Sequence, residues 1–394
     1  MGFVVICLAV RIQALFHLAR LKLKQPLPHE PDVVASPRDW QAALRRALNR
    51  PGRRECVRRD GAFRAFSGGV DGVEGVFVDC YGSGAVLAVY HGTAPAAFAS
   101  REYAQATLEA LRPAGVRAVY VKPFARDRSR LGGALPPETC EATPLAGEPL
   151  PEALHISEHA YRLEVRLYDG LSTGLFLDQR ENRRWVLEYA RRFAADHPAS
   201  VLNTFAYTCA FSVAAATGGA ITTSVDVSAR YLEWGRRNFT LNGLDASLHR
   251  WARMDTFEFF QYARRKQLRY DLVILDPPSF GAGNKRRGIR PWSAVDGYAT
   301  LVREAAGLLS PGGIVFASTN TRELCQPGRL RREVVRGLKR EPTWLHLPPP
   351  PPDFASERGR FAAVAFSPER PRAVAPLRSA ERSSPRPRRQ PARG

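Results

Sequence analysis

The stretch 270–280, Tyr-Asp-Leu-Val-Ile-Leu-Asp-Pro-Pro-Ser-Phe, limits what this chain can fold into more than any other. Its apolar run, Leu272 to Leu275, has the length and character of a buried strand. Asp276 and the Pro277-Pro278 pair then stop it, because proline cannot donate to a sheet ladder. An acid, a stiff turn and the Phe280 ring are thereby set at the carboxyl end of a strand, where open α/β sheets bind ligands. A carboxylate and backbone carbonyls there can accept hydrogen bonds from a nucleobase edge, and an aromatic ring can stack on its face. An isolated Asp-Pro-Pro also reads as a plain rigid strand end, so the neighbouring segments decide between the two.

Those neighbours keep one rhythm. Strands are expected at 200–203, 221–225, near 248–253 and at 314–317, and helices at 181–193, 211–217, 228–242, 256–266 and 298–309. Such alternation implies a mostly parallel sheet with right-handed crossovers and helices on both faces. Asp226, Asp255 and Asp276 follow successive strands. An acid after the second strand is where a Rossmann-like sheet holds a ribose hydroxyl pair. The loop 203–210, Asn-Thr-Phe-Ala-Tyr-Thr-Cys-Ala, lacks G-x-G-x-x-G, which disfavours a pyrophosphate and hence a dinucleotide. Its small residues, Ala206, Cys209 and Ala210, would still let a bulky nucleoside cofactor approach the backbone.

The amino-terminal part has a different texture. A helix is expected at 40–49, capped by Ser36 or Asp39 and ended by Pro51-Gly52. Short alternating runs follow at 56–59, 75–81 and 85–90, with a hairpin signal at Gly82-Ser83-Gly84. A helix at 97–111 and a strand at 118–121 complete a small α+β unit, and 161–168 alternates again. The expected organisation is an amphipathic segment and linker (1–39), an α+β accessory domain (40–150), an α/β domain (151–368) and a basic tail (369–394). The tail holds too little apolar surface to fold.

Charge narrows the partners. Lys and Arg number 58 against 38 Asp and Glu, a net charge of +20, which favours a polyanion such as nucleic acid. Six cysteines without a C-x-x-C pair suggest neither a zinc site nor a disulfide framework, and reduced cytosolic thiols are the expectation. The apolar run 3–10 is too short to span a bilayer, and its basic residues follow it rather than precede it as in a signal peptide. A cytoplasmic protein with no membrane attachment and no metal is expected.

Taken together, these residues resemble the class I S-adenosylmethionine-dependent methyltransferases. More narrowly, they resemble the bacterial 23S ribosomal RNA methyltransferase superfamily, whose members modify cytosine C5 or guanine N7. The shared pattern is Thr-Gly-Leu-Phe-Leu-Asp-Gln-Arg-Glu-Asn-Arg at 173–183, then 203–211, Val225-Asp226, 238–244 and 276–280. The resemblance spans roughly residues 60 to 365 and implies S-adenosylmethionine as cofactor and RNA as partner. By this likeness Asp226 would hold the ribose hydroxyls and Asp255 the adenine edge. Asn203 and the loop Tyr207, Thr208, Cys209 and Ala210 would face the methionine part, and Gln179 and Arg180 would cover the pocket. Phe205, Val227 and Thr256 complete the implied cofactor set. Asp276, Pro277, Phe280 and Asn320 would handle the base. Lys285, Arg286, Arg287 and Arg290 would bind flanking phosphates, or stand as a solvated charge run.

Three departures refine the likeness. Cytosine-C5 members carry an amino-terminal RNA-binding module, where this chain has only 1–37. Cys209 stands where many members have glycine. The strand after Gly313 ends Ala317-Ser318-Thr319-Asn320, where cytosine-C5 enzymes place a nucleophilic cysteine. Cytosine C5 needs a thiolate added to the ring before it reacts, and Cys325 would have to fold back to supply one. The Ser-Thr-Asn ending looks more like the guanine-N7 branch, where Asn320 could hold the base edge or simply end a strand. Asp353-Phe354 resembles a family element that closes the site. A relative that binds RNA with weak or lost catalysis is the remaining alternative.

Overall fold

The computed structural model describes residues 34, 36–59, 61–124, 137–193, 197–281, 283, 291–357 and 359–369. Residues 1–33 of the expected leading segment (1–39), residues 370–394 of the expected tail (369–394) and the basic residues Lys285, Arg286, Arg287 and Arg290 lie outside the described residues.

Helix α1 (Pro37–Leu48) begins where Ser36 Oγ accepts the Asp39 N–H, so Ser36 rather than Asp39 is the cap. Pro51 starts a second helix, α2 (Pro51–Arg59), which corrects the extended reading of 56–59. Proline suits a first helical turn because its missing N–H has no intrahelical partner there. Strands β1 (Ala62–Ser67), β2 (Val76–Tyr81) and β3 (Gly84–Tyr90) then form a meander, with Gly82 at φ 56° in the expected hairpin turn. Helix α3 (Arg101–Leu111) crosses over to β4 (Ala118–Phe124), parallel to β3, and β5 (Ala146–Gly147) closes a sheet ordered β1-β2-β3-β4-β5. One face is sealed by α1 and α3. Trp40 is fully buried there, its Nε1 donating to Thr107 Oγ1 at 2.8 Å between the rings of Phe66 and Phe98.

The hairpin of β6 (Leu154–Glu158) and β7 (Tyr161–Val165) leads to α4 (Arg180–Phe193) and the second sheet. Its elements are β8 (Ser200–Thr204), α5 (Ala210–Thr217), β9 (Ile221–Asp226), α6 (Ala229–Leu241), β10 (Arg250–Arg253), α7 (Thr256–Arg265) and β11 (Tyr270–Leu275). A ribbon of β12 (Phe280–Gly281) and β13 (Trp292–Ser293) precedes α8 (Ala294–Ala306), β14 (Leu309–Thr319), α9 (Arg329–Leu338), β15 (Thr343–Leu345) and β16 (Ala362–Ser367). The order is β10-β9-β8-β11-β14-β16-β15, parallel through β14 and antiparallel beyond it. The chain winds one way from β8 to β10 and the other way from β11, so the crevice between β8 and β11 is the switch point where such sheets bind ligands.

The β11 run is covered on both faces, as its unbroken apolar sequence demands. Leu272 and Ile274 meet Val186 of α4 and Phe211 of α5, while Val273 and Leu275 meet Phe260 of α7 and Leu301 of α8. The antiparallel strands β15 and β16 carried no clear sequence signal. Both are short and partly exposed, and a proline run separates them. Among the described residues no helix is long and apolar enough to cross a membrane.

The two sheets share an apolar layer and a buried ionic cluster. Tyr81, Val86 and Tyr120 of the first sheet meet Leu177, Val213 and Phe239 of the second unit. Arg180 is 2% exposed and donates to Ala62 O at 2.8 Å and to Asp353. The other Asp353 oxygen accepts the Arg64 N–H at 2.8 Å, and the Arg64 guanidinium bonds Asp79 and Glu357. Asp353 therefore neutralises a guanidinium that water cannot reach. Asp353→Ala is expected to destabilise the folded chain by about 3–5 kcal/mol, because breaking a buried pair strands the partner charge. Denaturant unfolding would measure it, and a loss below about 1 kcal/mol, the scale of an exposed pair, would refute this account.

Candidate active site at the strand tips

Asp276 stands at the tip of β11, half-buried. Its Oδ1 accepts from Ser318 Oγ of β14 at 2.7 Å and from the Gln179 side-chain amide at 3.5 Å. Burial raises its pKa, and the Ser318 hydrogen bond partly offsets the rise. Gln179, 5% exposed, is aimed by Asn182, whose amide donates to its carbonyl at 2.7 Å. Pro277 is buried, whereas Phe280 is 73% exposed, a large apolar ring left in solvent beside a carboxylate. The ribbon that carries Phe280 is tied back by Trp292, whose Nε1 donates to Pro278 O at 2.8 Å. On the adjoining tip, exposed Asn320 accepts from Ser279 Oγ at 3.0 Å.

The neighbouring Asp178 carried no role in the sequence reading. Burial first, then the Asp276 charge, push its carboxyl up to about 6, against the opposing pull of Arg64 and Arg183. Arg183 is held by Glu158 through two 2.6 Å contacts and donates to Phe176 O at 2.8 Å, so it shapes the turn that presents Asp178. The available signal was an acid following apolar Phe176 and Leu177 in the Phe-Leu-Asp-Gln-Arg motif.

The crevice beside β8 has the features of a nucleoside pocket. The Asp226 carboxylate ends β9 and accepts the Tyr207 N–H at 2.9 Å and the Ser228 N–H at 2.8 Å. Burial raises its pKa against those two bonds. Each oxygen keeps a lone pair for a diol hydroxyl. Val227 beside it is 41% exposed. The loop between β8 and α5 holds Phe205, Tyr207 and Cys209 at positive φ (53°, 50° and 62°), a costly backbone for residues with a side chain. Cys209 can stand in a position suited to glycine because α6 supplies the missing space. A Cβ on Gly235 would meet Cys209 Sγ at 2.5 Å. Burial raises the Cys209 thiol to about 12, so it is an inert filler. Tyr207 packs against Tyr231 at 4.5 Å and Phe176 at 5.4 Å, and its hydroxyl accepts the Gly174 N–H at 3.0 Å.

Several of the expected residues have partners within the protein. Asn203 is 2% exposed and donates to Ser212 Oγ at 2.9 Å, tying β8 to α5. Thr208 is buried, with its hydroxyl on Gly174 O at 2.6 Å. The Arg180 guanidinium points into the ionic cluster between the sheets, not over the pocket. Asp255 caps α7, its Oδ1 accepting from the Phe257 and Glu258 N–H groups, and Thr256 is buried behind it. Ala210 is the first residue of α5. Cys325 is 7% exposed, its thiol donates to Thr319 O at 3.5 Å, and burial raises it to about 11.

A sheet of this order, with an acid after β9 and an acid-Pro-Pro turn after β11, is a Rossmann-like fold whose switch-point crevice suits a nucleoside cofactor. Residues 105–356 match the family described as S-adenosylmethionine-dependent methyltransferase, and the chain belongs to that family. Its cofactor is S-adenosylmethionine, and the Asp226 carboxylate with the strained loop fits that group's ribose and small-residue requirements. Among similar proteins, YwbD of Bacillus subtilis (strain 168) is 38% identical over 261 residues, 66% of this chain and 61% of its own length. Ribosomal RNA large subunit methyltransferase I of Klebsiella pneumoniae (strain 342) is 35% identical over 265 residues, 66% of this chain and 60% of its own. The crystal structure of SMU.776 complexed with SAH superposes with a TM-score of 0.71 at 30% identity, covering 84% of this chain and 81% of that one. The chain thus spans about 60% of the length of these two curated relatives.

Two outcomes are expected. Asp226→Ala should weaken S-adenosylmethionine binding at least about tenfold, the scale of one lost hydrogen bond to a charged group, in calorimetry on folded protein. Unchanged affinity would remove the diol assignment. Because Asp178 is raised, the folded chain holds a proton between about pH 4 and 6 that the unfolded chain releases, so ionisation above that window costs stability. Asp178→Asn should therefore stabilise the fold by about 1–3 kcal/mol at pH 7.5, with the gain gone near pH 4. An equal gain at both pH values would contradict the shift.

Proposed function

We propose that this chain transfers the methyl group of S-adenosylmethionine to a base of large-subunit (23S) ribosomal RNA, at guanine N7. The observation that carries the reading is the Asp276 carboxylate beside the 73% exposed Phe280 ring, with the Cys325 thiol at the adjoining strand tip buried and donating to Thr319 O. When bound, the cofactor supplies an electrophilic methyl group on a sulfonium centre. Guanine N7 has its own lone pair, so the residues here need only hold the base in line and exclude water. Phe280 would stack on an extruded base, Asp276 and the Pro277 carbonyl would accept its N–H groups, and Asn320 would meet its edge. The Ser318 hydroxyl and the Gln179 amide keep the carboxylate pointed at the crevice. Asp226, Val227 and the 205–210 loop would hold the adenosine and methionine parts.

Several observations support RNA as the partner. The net charge of +20 suits a polyanion, and Lys285, Arg286, Arg287 and Arg290 follow the Phe280 turn in the sequence. The Klebsiella relative and ribosomal RNA large subunit methyltransferase K of Neisseria meningitidis serogroup B, 41% identical over 170 residues, are named for such a substrate. An enzyme with that substrate works in the cytosol. The cytosine-C5 alternative would rest on Cys325, whose buried thiol near 11 is a poor nucleophile at neutral pH. A catalytically silent RNA binder would have no use for the carboxylates held at Asp226 and Asp276.

Mapping modified nucleosides in ribosomal RNA from cells with and without the gene tests the reading. A 7-methylguanosine lost with the gene is expected, and a lost 5-methylcytidine would overturn it. Asp276→Ala should abolish transfer with the cofactor still bound, whereas Cys325→Ser should keep wild-type turnover.

A further inference from the structure

Asn320 belongs to a directed chain of hydrogen bonds. It follows β14, and its side-chain carbonyl accepts from Ser279 Oγ at 3.0 Å. Ser279 lies in the turn after the neighbouring strand β11, and its own oxygen accepts from Thr321 Oγ1 at 2.9 Å. A hydroxyl has one proton to give. The buried Thr321 gives its proton to Ser279, and Ser279 gives its own to Asn320. The amide carbonyl is thereby committed to Ser279, and the exposed NH2 group is left to face outward. Two adjacent strand tips thus present opposite chemistry, the Asp276 carboxylate as acceptor and the Asn320 amide as a pair of donors.

That polarity discriminates bases. Guanine offers a carbonyl at C6 next to N1–H and N2–H2 donors, which complements a donor beside an acceptor. Adenine and cytosine carry an exocyclic amine where the carbonyl would be and an unprotonated ring nitrogen next to it, so both partners would face their like. We propose that the Thr321–Ser279 relay fixes the polarity of the Asn320 amide and thereby makes the site select guanine over adenine and cytosine. Ser279 and Thr321 act through Asn320 and are positioning residues. The inference rests on the guanine reading above and adds the source of its selectivity. A site whose buried polar groups are left unpaired by the wrong substrate rejects it far more strongly than a site that merely fits badly.

The test uses the full chain, large-subunit ribosomal RNA from cells lacking the gene and S-adenosylmethionine carrying a tritiated methyl group, with nucleosides resolved after digestion. Thr321→Val keeps the shape and removes the donor, so the amide can turn. It should raise KM for RNA about tenfold, the scale of one hydrogen bond, with kcat less affected, and Thr321→Ser should restore the wild-type value. Asn320→Asp, which removes both donors, should lower kcat/KM by about a hundredfold or more. Both should bind S-adenosylmethionine as wild type does, which shows that they are folded. Wild-type label in guanosine with Thr321→Val kinetics unchanged would overturn the relay alone. Wild-type label in adenosine or cytidine would overturn the guanine reading together with it.

Discussion

A carboxylate at the edge of a dry sheet is the constraint that organises this protein. From Leu272 to Leu275 the β11 strand is apolar on both faces, so the polar residue that follows, Asp276, emerges at the end of the dry run. There it is too buried to be solvated like a surface acid and too exposed to be a core residue. Everything around it compensates. Ser318 and Gln179 donate to it, and Arg183 draws its pKa back down from behind. A preorganised acceptor of this kind is aimed before any substrate arrives, which is where electrostatic positioning gains its strength.

One turn of chain joins that acid to the rest of the molecule. The motif at 176–183 sends Gln179 towards Asp276, Arg180 into the accessory sheet and Arg183 back to Glu158 on the β6–β7 hairpin. Asp353 and Glu357 then clasp Arg180 and Arg64 from a distant part of the chain. The accessory sheet is thus bonded to the element that holds the site. Burying these charges is costly, and such a cluster specifies one relative placement of the two units more surely than apolar contact does.

The cofactor loop follows the same logic of compensation. Three residues with side chains hold backbone angles that glycine favours, and the resulting tight loop brings the Tyr207 N–H to Asp226. Cys209 is tolerated because Gly235 leaves room on the facing helix. The departure from glycine that the sequence displayed is therefore accommodated across this contact.

What could be read from the sequence alone was whatever depends on neighbours a few residues away. The strand–helix rhythm, the Gly82 hairpin, the start of the first helix near Ser36 and Asp39 and the acids at strand ends are local periodicities and punctuation, and a one-dimensional string carries them whole. Tertiary structure alone decided the direction of each polar side chain. Arg180 finds its partners 118 and 173 residues away, which turned an expected pocket lid into a clasp between sheets. Asn203 turned inward to Ser212, and the Thr321–Ser279–Asn320 chain exists only because β11 and β14 are adjacent. Hydrogen-bond polarity and the pKa of a half-buried acid such as Asp178 depend on which groups meet in space, and sequence spacing does not determine that.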